Sequence, residues 1–291
     1  MPPTPKTPPE SKILQTPLSL SGERLGAPHL VVLESGQAVV FTQPCPGQPG
    51  VNEDAMGIFE MDTGEVCLAV ADGVGGLPKG REASEFVIQK IGRWIQRKNR
   101  PCLEDLIKDV NKELLKEIPR AATTISITLV KPEGSVLSIH AGDSLMLVVG
   151  QRGRVKLRVD SHSPVGVSET LGLIDEREAL HHPKRHYLNN MLGDPAFWLE
   201  KHEAKLAARD TVLIASDGLW DNLYVSEIIE IIQSGELEES AQMLADTAIS
   251  RMTNAQEGLP SKPDDLTFVL FRLNATGLFE DAEHHVDSGG R

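Results

Sequence analysis

The chain has 291 residues, 40% of them hydrophobic, which is enough to bury a full core in one large domain or two small ones. Its 42 acidic residues against 29 basic ones leave a formal net charge of −13, which repels a nucleic-acid backbone and concentrates divalent cations near the surface. No apolar run approaches the roughly 20 residues of a membrane span, and the N-terminus lacks the apolar middle of a signal peptide.

Residues 1–28 are crowded with Pro, Ser and Thr and hold too few apolar residues to offset the entropy of ordering, so a disordered arm is expected there. A globular domain is expected over 29–275 and a second flexible end over 276–291. The first strong strand signal, "VCLAVADGVGG" from Val66 to Gly76, is an apolar run that halts at Asp72 and Gly73. From Ala83 onward Phe86, Val87, Ile91, Trp94 and Ile95 share one helical face, and Leu103, Leu106, Ile107, Val110 and Leu114 repeat the pattern in a second helix. The runs "TTISITLV", "SVLSIHA", "SLMLVVG" and "RVKLRVD", separated by turn residues, predict an antiparallel meander. "TVLIASDGLWDN" then repeats the earlier design, a buried strand running into Asp217 and Gly218. A late helix over Glu239–Met252, with Leu244, Ala245, Ala248 and Met252 facing inward, precedes a final strand "LTFVLFRL". Hairpins this short force antiparallel pairing, so the fold class is α+β with helices covering antiparallel sheets. Cys45, Cys67 and Cys102 show neither a CxxC pair nor zinc-ligand spacing, so reduced thiols in a soluble cytoplasmic protein are expected, with Cys67 a small core residue.

Six carboxylates stand at the ends of predicted strands or in turns beside them: Glu53 and Asp54 in "GVNEDAMGIF", Asp72, Asp143 in "AGDS", Asp217, and Asp264 in "KPDDLTFVLF". Brought together without counter-charge, they would pay heavily in desolvation and repulsion, and no comparable row of Lys or Arg accompanies these motifs. Divalent cations are the expected counter-charge. Oxygen donors without His or Cys suit magnesium or manganese over zinc or copper, and the missing side chain of Gly73 lets a backbone carbonyl approach such an ion. The run "DGVGG" has neither the GK[ST] of a P-loop nor the GxGxxG of a dinucleotide site.

Taken in order, "VNEDA", "VADGVGG", "AATTISITLV", "IHAGDSLMLV", "VDSHSPVG", "HHPKRHYLNNMLG", "LIASDGLWD" and "PDDLTFVL" resemble the metal-dependent protein phosphatase family, the type 2C serine/threonine phosphatases, in its bacterial-like branch. The resemblance covers about residues 37 to 272. It implies two packed antiparallel β-sheets flanked by helices on both outer faces, and a site for two Mn²⁺ or Mg²⁺ ions at one end. The implied reaction is hydrolysis of phosphoserine or phosphothreonine in proteins by a hydroxide that bridges the ions. Residue by residue, it gives Asp72 the bridging role, Asp217 and Asp264 the first ion, and Glu53 with the Gly73 carbonyl the second. Asp54 matches a position that orients water, Asp143 with Asp217 a weaker third-ion site, and Asp221 an accessory acid nearby.

Two positions depart from the family pattern. Pro49 stands where an arginine commonly grips the phosphate, which makes Lys79 and Arg81 the candidates to bind substrate; Val74 stands where some members carry a histidine as general acid. Thr123 and Thr124 fall on the family's small-hydroxyl strand, which β-propensity alone also explains. His162, His181, His182 and His186 lie in the segment that resembles the flap beside the site. The implied partners are a phosphoprotein substrate and a cognate protein kinase, with no nucleic acid and no membrane, and the chain is expected to act as a monomer. The alternatives are an inactive phosphoprotein-binding module of the same fold and a hydrolase of small phosphoesters.

Overall fold

The computed structural model describes residues 12–47 and 50–274, so the expected tail at 276–291, residues 1–11 and Pro49 lie outside it. The first half of the chain holds β1 (Ile13–Leu14), β2 (Leu18–Ser21), β3 (His29–Val32), β4 (Gly36–Gln43), β5 (Ala55–Glu60), β6 (Val66–Ala71), α1 (Gly80–Ile95) and α2 (Leu103–Glu117). Next come β7 (Ile125–Val130), β8 (Ser135–Ala141), β9 (Leu145–Val149), β10 (Val155–Arg158), α3 (Pro164–Thr170) and α4 (Glu176–Leu180). The last part holds β11 (Glu200–Lys205), β12 (Thr211–Ala215), α5 (Asp217–Trp220), α6 (Val225–Ile232), α7 (Leu237–Thr253) and β13 (Leu266–Leu273).

These strands make two sheets, a larger one in the order β1-β3-β4-β13-β12-β9-β10 and a smaller one in the order β11-β8-β7-β6-β5-β2. Every pair is antiparallel except β1 with β3. Strand β6 shows why the sheets sit in the middle of a layered molecule. Alternate side chains of a strand point to opposite faces. Val66, Leu68 and Val70 enter the core between the sheets with Phe41 and Phe268, whereas Cys67, Ala69 and Ala71 enter a second core with Val87, Ile91 and Trp94 of α1 and Ile107 and Leu114 of α2. The small residues on that outer face leave room for α1 to lie close. On the other side, α7 turns Leu244, Ala245, Ala248 and Met252 toward the larger sheet, the face expected from the sequence. The α-β-β-α sandwich is therefore as expected.

Two expectations need correction. The segment 12–28, placed in a disordered arm, instead supplies β1 and β2. Strand β2 is an edge strand whose register sets Leu18 opposite Ile58 and Leu20 opposite Met56, and both leucines pack on the core between the sheets. Two alternating leucines and one row of backbone bonds suffice to dock an edge strand, a signal that a Pro-rich and Ser-rich average conceals. The four-strand meander is also two separate hairpins: β7 pairs with β8 in the smaller sheet and β9 with β10 in the larger. The chain changes sheets at Gly142–Ser144, where Gly142 takes a φ of 116°, and alternation along each strand carries no information about which sheet it joins.

Candidate active site

Strands β6 and β12 belong to different sheets and are buried along their whole length. Each ends by delivering an aspartate: Asp72 directly after β6, and Asp217 as the first residue of α5, two positions after β12. Asp264 arrives just before β13, Glu53 just before β5, and Asp143 at the crossing from β8 to β9. All five line one cavity of about 270 Å³, together with Gly73, Val74, Gly75, Thr124, His186, Leu188, Lys262 and Asp265. The loops are tied down from behind. The Asp72 N–H donates to Thr124 Oγ1 at 3.0 Å, while the Asp72 carbonyl accepts from the Thr124 N–H at 2.8 Å and from Thr123 Oγ1 at 2.7 Å. Thr123 and Thr124 are thus positioning residues for Asp72, a stronger role than strand propensity. Asp265, which the sequence reading did not single out, accepts from the Cys45 N–H at 2.7 Å and the Glu53 N–H at 2.6 Å and so fixes the Glu53 loop.

Convergence shows in the acidities. Burial, followed by Asp54, Asp217, Asp264 and Asp143, holds the Asp72 carboxyl well above the usual carboxylate range. Burial and then Asp217 do the same to Asp143. Asp264 is pushed up to about 7 by burial and then by Asp217, and Glu53 is raised by burial, Asp265 and Glu82. Asp54 is 1% exposed and does not line the cavity; its Oδ2 accepts from Ser216 Oγ at 2.8 Å and its Oδ1 has no hydrogen-bond partner among the described residues. Burial and Asp265 raise its pKa also.

One cation answers this charge, and the sequence reading passed over it. The Lys262 ammonium contacts Asp217, and lies 2.8 Å from Asp221 Oδ2 and 3.0 Å from Asp264 Oδ2. Burial alone would lower the lysine's pKa, but Asp217, Asp221 and Asp264 outweigh it and raise it. Its backbone is pinned by buried Asn222, which accepts from the Lys262 N–H at 2.8 Å and donates to the Lys262 carbonyl at 2.9 Å. The signal was within reach, because Lys262 opens the "KPDDLTFVLF" motif that contains Asp264. Arg185, likewise inside a quoted motif, reaches Asp221 at 3.7 Å and the Ser261 carbonyl at 2.9 Å.

The expected substrate cations do not meet this geometry. Neither Lys79 nor Arg81 lines the cavity; the Arg81 guanidinium lies against Gly22, because the start of α1 turns it toward the end of β2. His186 does line the cavity, while His162 is directed away, stacked on His140 with ring centroids 4.1 Å apart.

The donor set fits hard divalent cations. Among the described residues, six carboxylates and the glycine backbone face one cavity with a single lysine and His186, a surplus of negative charge carried by carboxylate oxygens. A side chain at Gly73 would place its Cβ 2.4 Å from the Gly80 carbonyl carbon and 2.9 Å from the Glu53 carbonyl, so close approach of this loop to Glu53 requires glycine.

Comparison with known proteins agrees with this arrangement. Residues 47–256 match the family described as protein phosphatase 2C. The serine/threonine phosphatase stp of Listeria monocytogenes serotype 4b is 26% identical over 246 residues, which cover 79% of this chain and 94% of that protein. The crystal structure of Stp1 from Staphylococcus aureus matches with a TM-score of 0.72 and 28% identity over 84% of this chain and 96% of that one. The catalytic domain of PstP, solved with two manganese ions, shares the fold with a TM-score of 0.62 at 22% identity. Two sheets between helices, acidic loops meeting at one end and a family match over most of the length place this chain in the protein phosphatase 2C family.

Proposed function

We propose that this phosphatase removes phosphate from phosphoserine and phosphothreonine side chains of proteins with the help of two Mn²⁺ or Mg²⁺ ions held by its carboxylate loops. The observation that carries the reading is the meeting of Glu53, Asp72, Asp143, Asp217 and Asp264 around one cavity. Asp72 is coupled by charge to Asp54, Asp217, Asp264 and Asp143. In the proposed assignment Asp72 would serve both ions, Asp217 and Asp264 would hold the first with it, and Glu53 with the Gly73 carbonyl would hold the second. Asp143 with Asp217 offers a weaker third position. When bound, such ions acidify water at neutral pH and offset charge on a phosphoryl group.

The protein's own residues supply the positioning. Thr123 and Thr124 fix Asp72, Asp265 fixes Glu53, and Asp54 adds negative charge behind Asp72 while holding Ser216. Among the described residues no cysteine or serine lines the cavity, and the Thr124 hydroxyl is committed to Asp72 N–H and to Ser144 Oγ at 2.6 Å. Phosphoryl transfer is therefore assigned to water rather than to a side-chain nucleophile. Carboxylates that would otherwise hold protons become ligands as pH rises, so metal binding releases protons. A protein kinase of opposite action is the partner this reaction class requires.

The test is phosphate release from a phosphothreonine peptide with Mn²⁺, with EDTA, and with the Asp72→Asn variant. Release is expected only with metal, and the variant is expected to lose at least about a hundredfold in kcat while keeping its fold by circular dichroism. Substantial turnover in Asp72→Asn would remove the shared-ligand assignment. Hydrolysis of p-nitrophenyl phosphate with none of the peptide would redirect the substrate class to small phosphoesters.

A further inference from the structure

A second cluster of ligating groups lies outside the carboxylate centre. Strand β11 carries Glu200 and His202, two positions apart and so on one face, and its register with β8 sets Glu200 opposite His140. One ligand atom from each of His140, Glu200 and His202 lies within 4.8 Å of the others. His202 Nε2 stands 3.5 Å from Glu200 Oε1, and His140 Nε2 stands 3.9 Å from Glu200 Oε2. A fourth group supports the carboxylate. His162 Nδ1 accepts from the Gly142 N–H at 3.2 Å and from Asn190 Nδ2 at 2.8 Å, so its Nε2 carries the proton and donates to Glu200 Oε2 at 2.8 Å.

Two features of this cluster ask for a ligand. Among the described residues, His202 Nε2, the nitrogen that faces Glu200, is buried without a hydrogen-bond partner, and an unpaired buried polar atom costs free energy that a fold normally avoids. His140 is fully enclosed and kept neutral by burial and by His162, its pKa pushed down to about 3, so its ring offers a lone pair rather than a charge. Two imidazoles and one carboxylate are the donor types of a zinc site and differ in kind from the carboxylate centre. Tetrahedral ligands about 2.0–2.1 Å from zinc lie about 3.3 Å apart, so donors within 4.8 Å need to close by about an ångström or less toward a common ion.

We propose that His140, Glu200 and His202 form a zinc site separate from the carboxylate centre, with His162 holding the carboxylate and water completing the tetrahedron. His140 Nε2 exchanges the Asp160 carbonyl, 3.1 Å away, for the ion, and the ring proton it carried moves to Nδ1. Glu200 is 43% exposed at its side chain, which opens an entry path from solvent. The ion would clamp the segment between β10 and β11 at both ends. His162 lies near its start and Glu200 at its exit, and the His162 carbonyl accepts from the Asn189 N–H at 2.8 Å. Because His140 lies three residues before Asp143, the clamp sits on the same strand that leads into the carboxylate centre.

The test uses the full chain stripped of metal, with excess Mg²⁺ present to occupy the carboxylate centre. Zinc titrated into wild type and into Asp72→Asn, followed by calorimetry and thermal melting, is expected to bind one ion per chain in both and to raise Tm by several degrees. Cobalt in place of zinc is expected to give the strong visible bands of a tetrahedral site, in both proteins. His202→Ala and Glu200→Gln, checked for folding by circular dichroism, are expected to weaken zinc binding at least about tenfold and to leave Mn²⁺ binding unchanged. Zinc binding that disappears in Asp72→Asn would place the ion in the carboxylate centre and overturn the proposal. So would the absence of tetrahedral cobalt bands from wild type, a reading that needs no variant to fold. Phosphate release plays no part in these outcomes, so failure here leaves the phosphatase reading untouched.

Discussion

Lys262 stands two residues before Asp264, yet two of its carboxylate partners, Asp217 and Asp221, lie more than forty residues earlier, with 45 positions separating it from Asp217. That separation explains why counting charges inside each motif missed it: the lysine is plain in "SKPDDLTFVL", but its role exists only after β12 and β13 pair. The acidic residues themselves were legible because strand ends and Asp-Gly turns betray them locally. The same ammonium makes opposite contributions to two equilibria. Lys262→Met takes the ammonium from Asp217 and Asp264 and leaves Asp221 with Arg185, so the metal-free protein is expected to lose roughly 3 kcal/mol of stability. The variant also removes a competitor for those carboxylates, so its Kd for Mn²⁺ is expected to fall at least about tenfold. Thermal melts in EDTA and calorimetric Mn²⁺ titrations of both proteins check the pair of effects; an unchanged Kd would show that the ammonium and the ion do not share ligands.

At the scale of elements, the strand-to-loop turns carry the site. Strands β6 and β12 were readable because each is an uninterrupted buried run, and α1, α2 and α7 because their apolar faces repeat at helical spacing. Strand β2 was not, since four residues in a Pro-rich neighbourhood give no periodicity to detect, and the pairing of His140 with Glu200 depends on a register between strands about sixty residues apart. The turn into α5 is the tightest of these joints. A Cβ on Gly218 would stand 1.8 Å from the Asp265 carbonyl oxygen, whereas a Cβ on Gly75 would meet nothing within 4 Å. Gly218→Ala is therefore expected to cost several kcal/mol, about 3 or more, and to move Asp217 off its position, while Gly75→Ala is expected to stay within about 0.5 kcal/mol of wild type. Urea titrations of the two variants separate these outcomes; equal stabilities would mean that the α5 turn yields freely.

For the molecule as a whole, the net charge of −13 is concentrated in consequence as well as in number, because the carboxylates of one cavity raise the free energy of the metal-free fold. Ions that bind only the folded form should recover it. At a hundred times Kd, Mn²⁺ is expected to add about 2.7 kcal/mol, and EDTA to remove it, a change of about 5–10 °C in Tm for a domain of this size. A melting curve indifferent to both would count against any ion in the cavity. Among the described residues, no helix is long and apolar enough to cross a membrane.

Asp72 hangs from the smaller sheet, whereas Asp217 and Asp264 hang from the larger one. Their spacing is therefore set by how Phe41, Leu68, Val70 and Phe268 mesh in the layer between. Turnover becomes a gauge of that seam: a slip of the two slabs too small to unfold the chain would already spread the jaws that grip the ions.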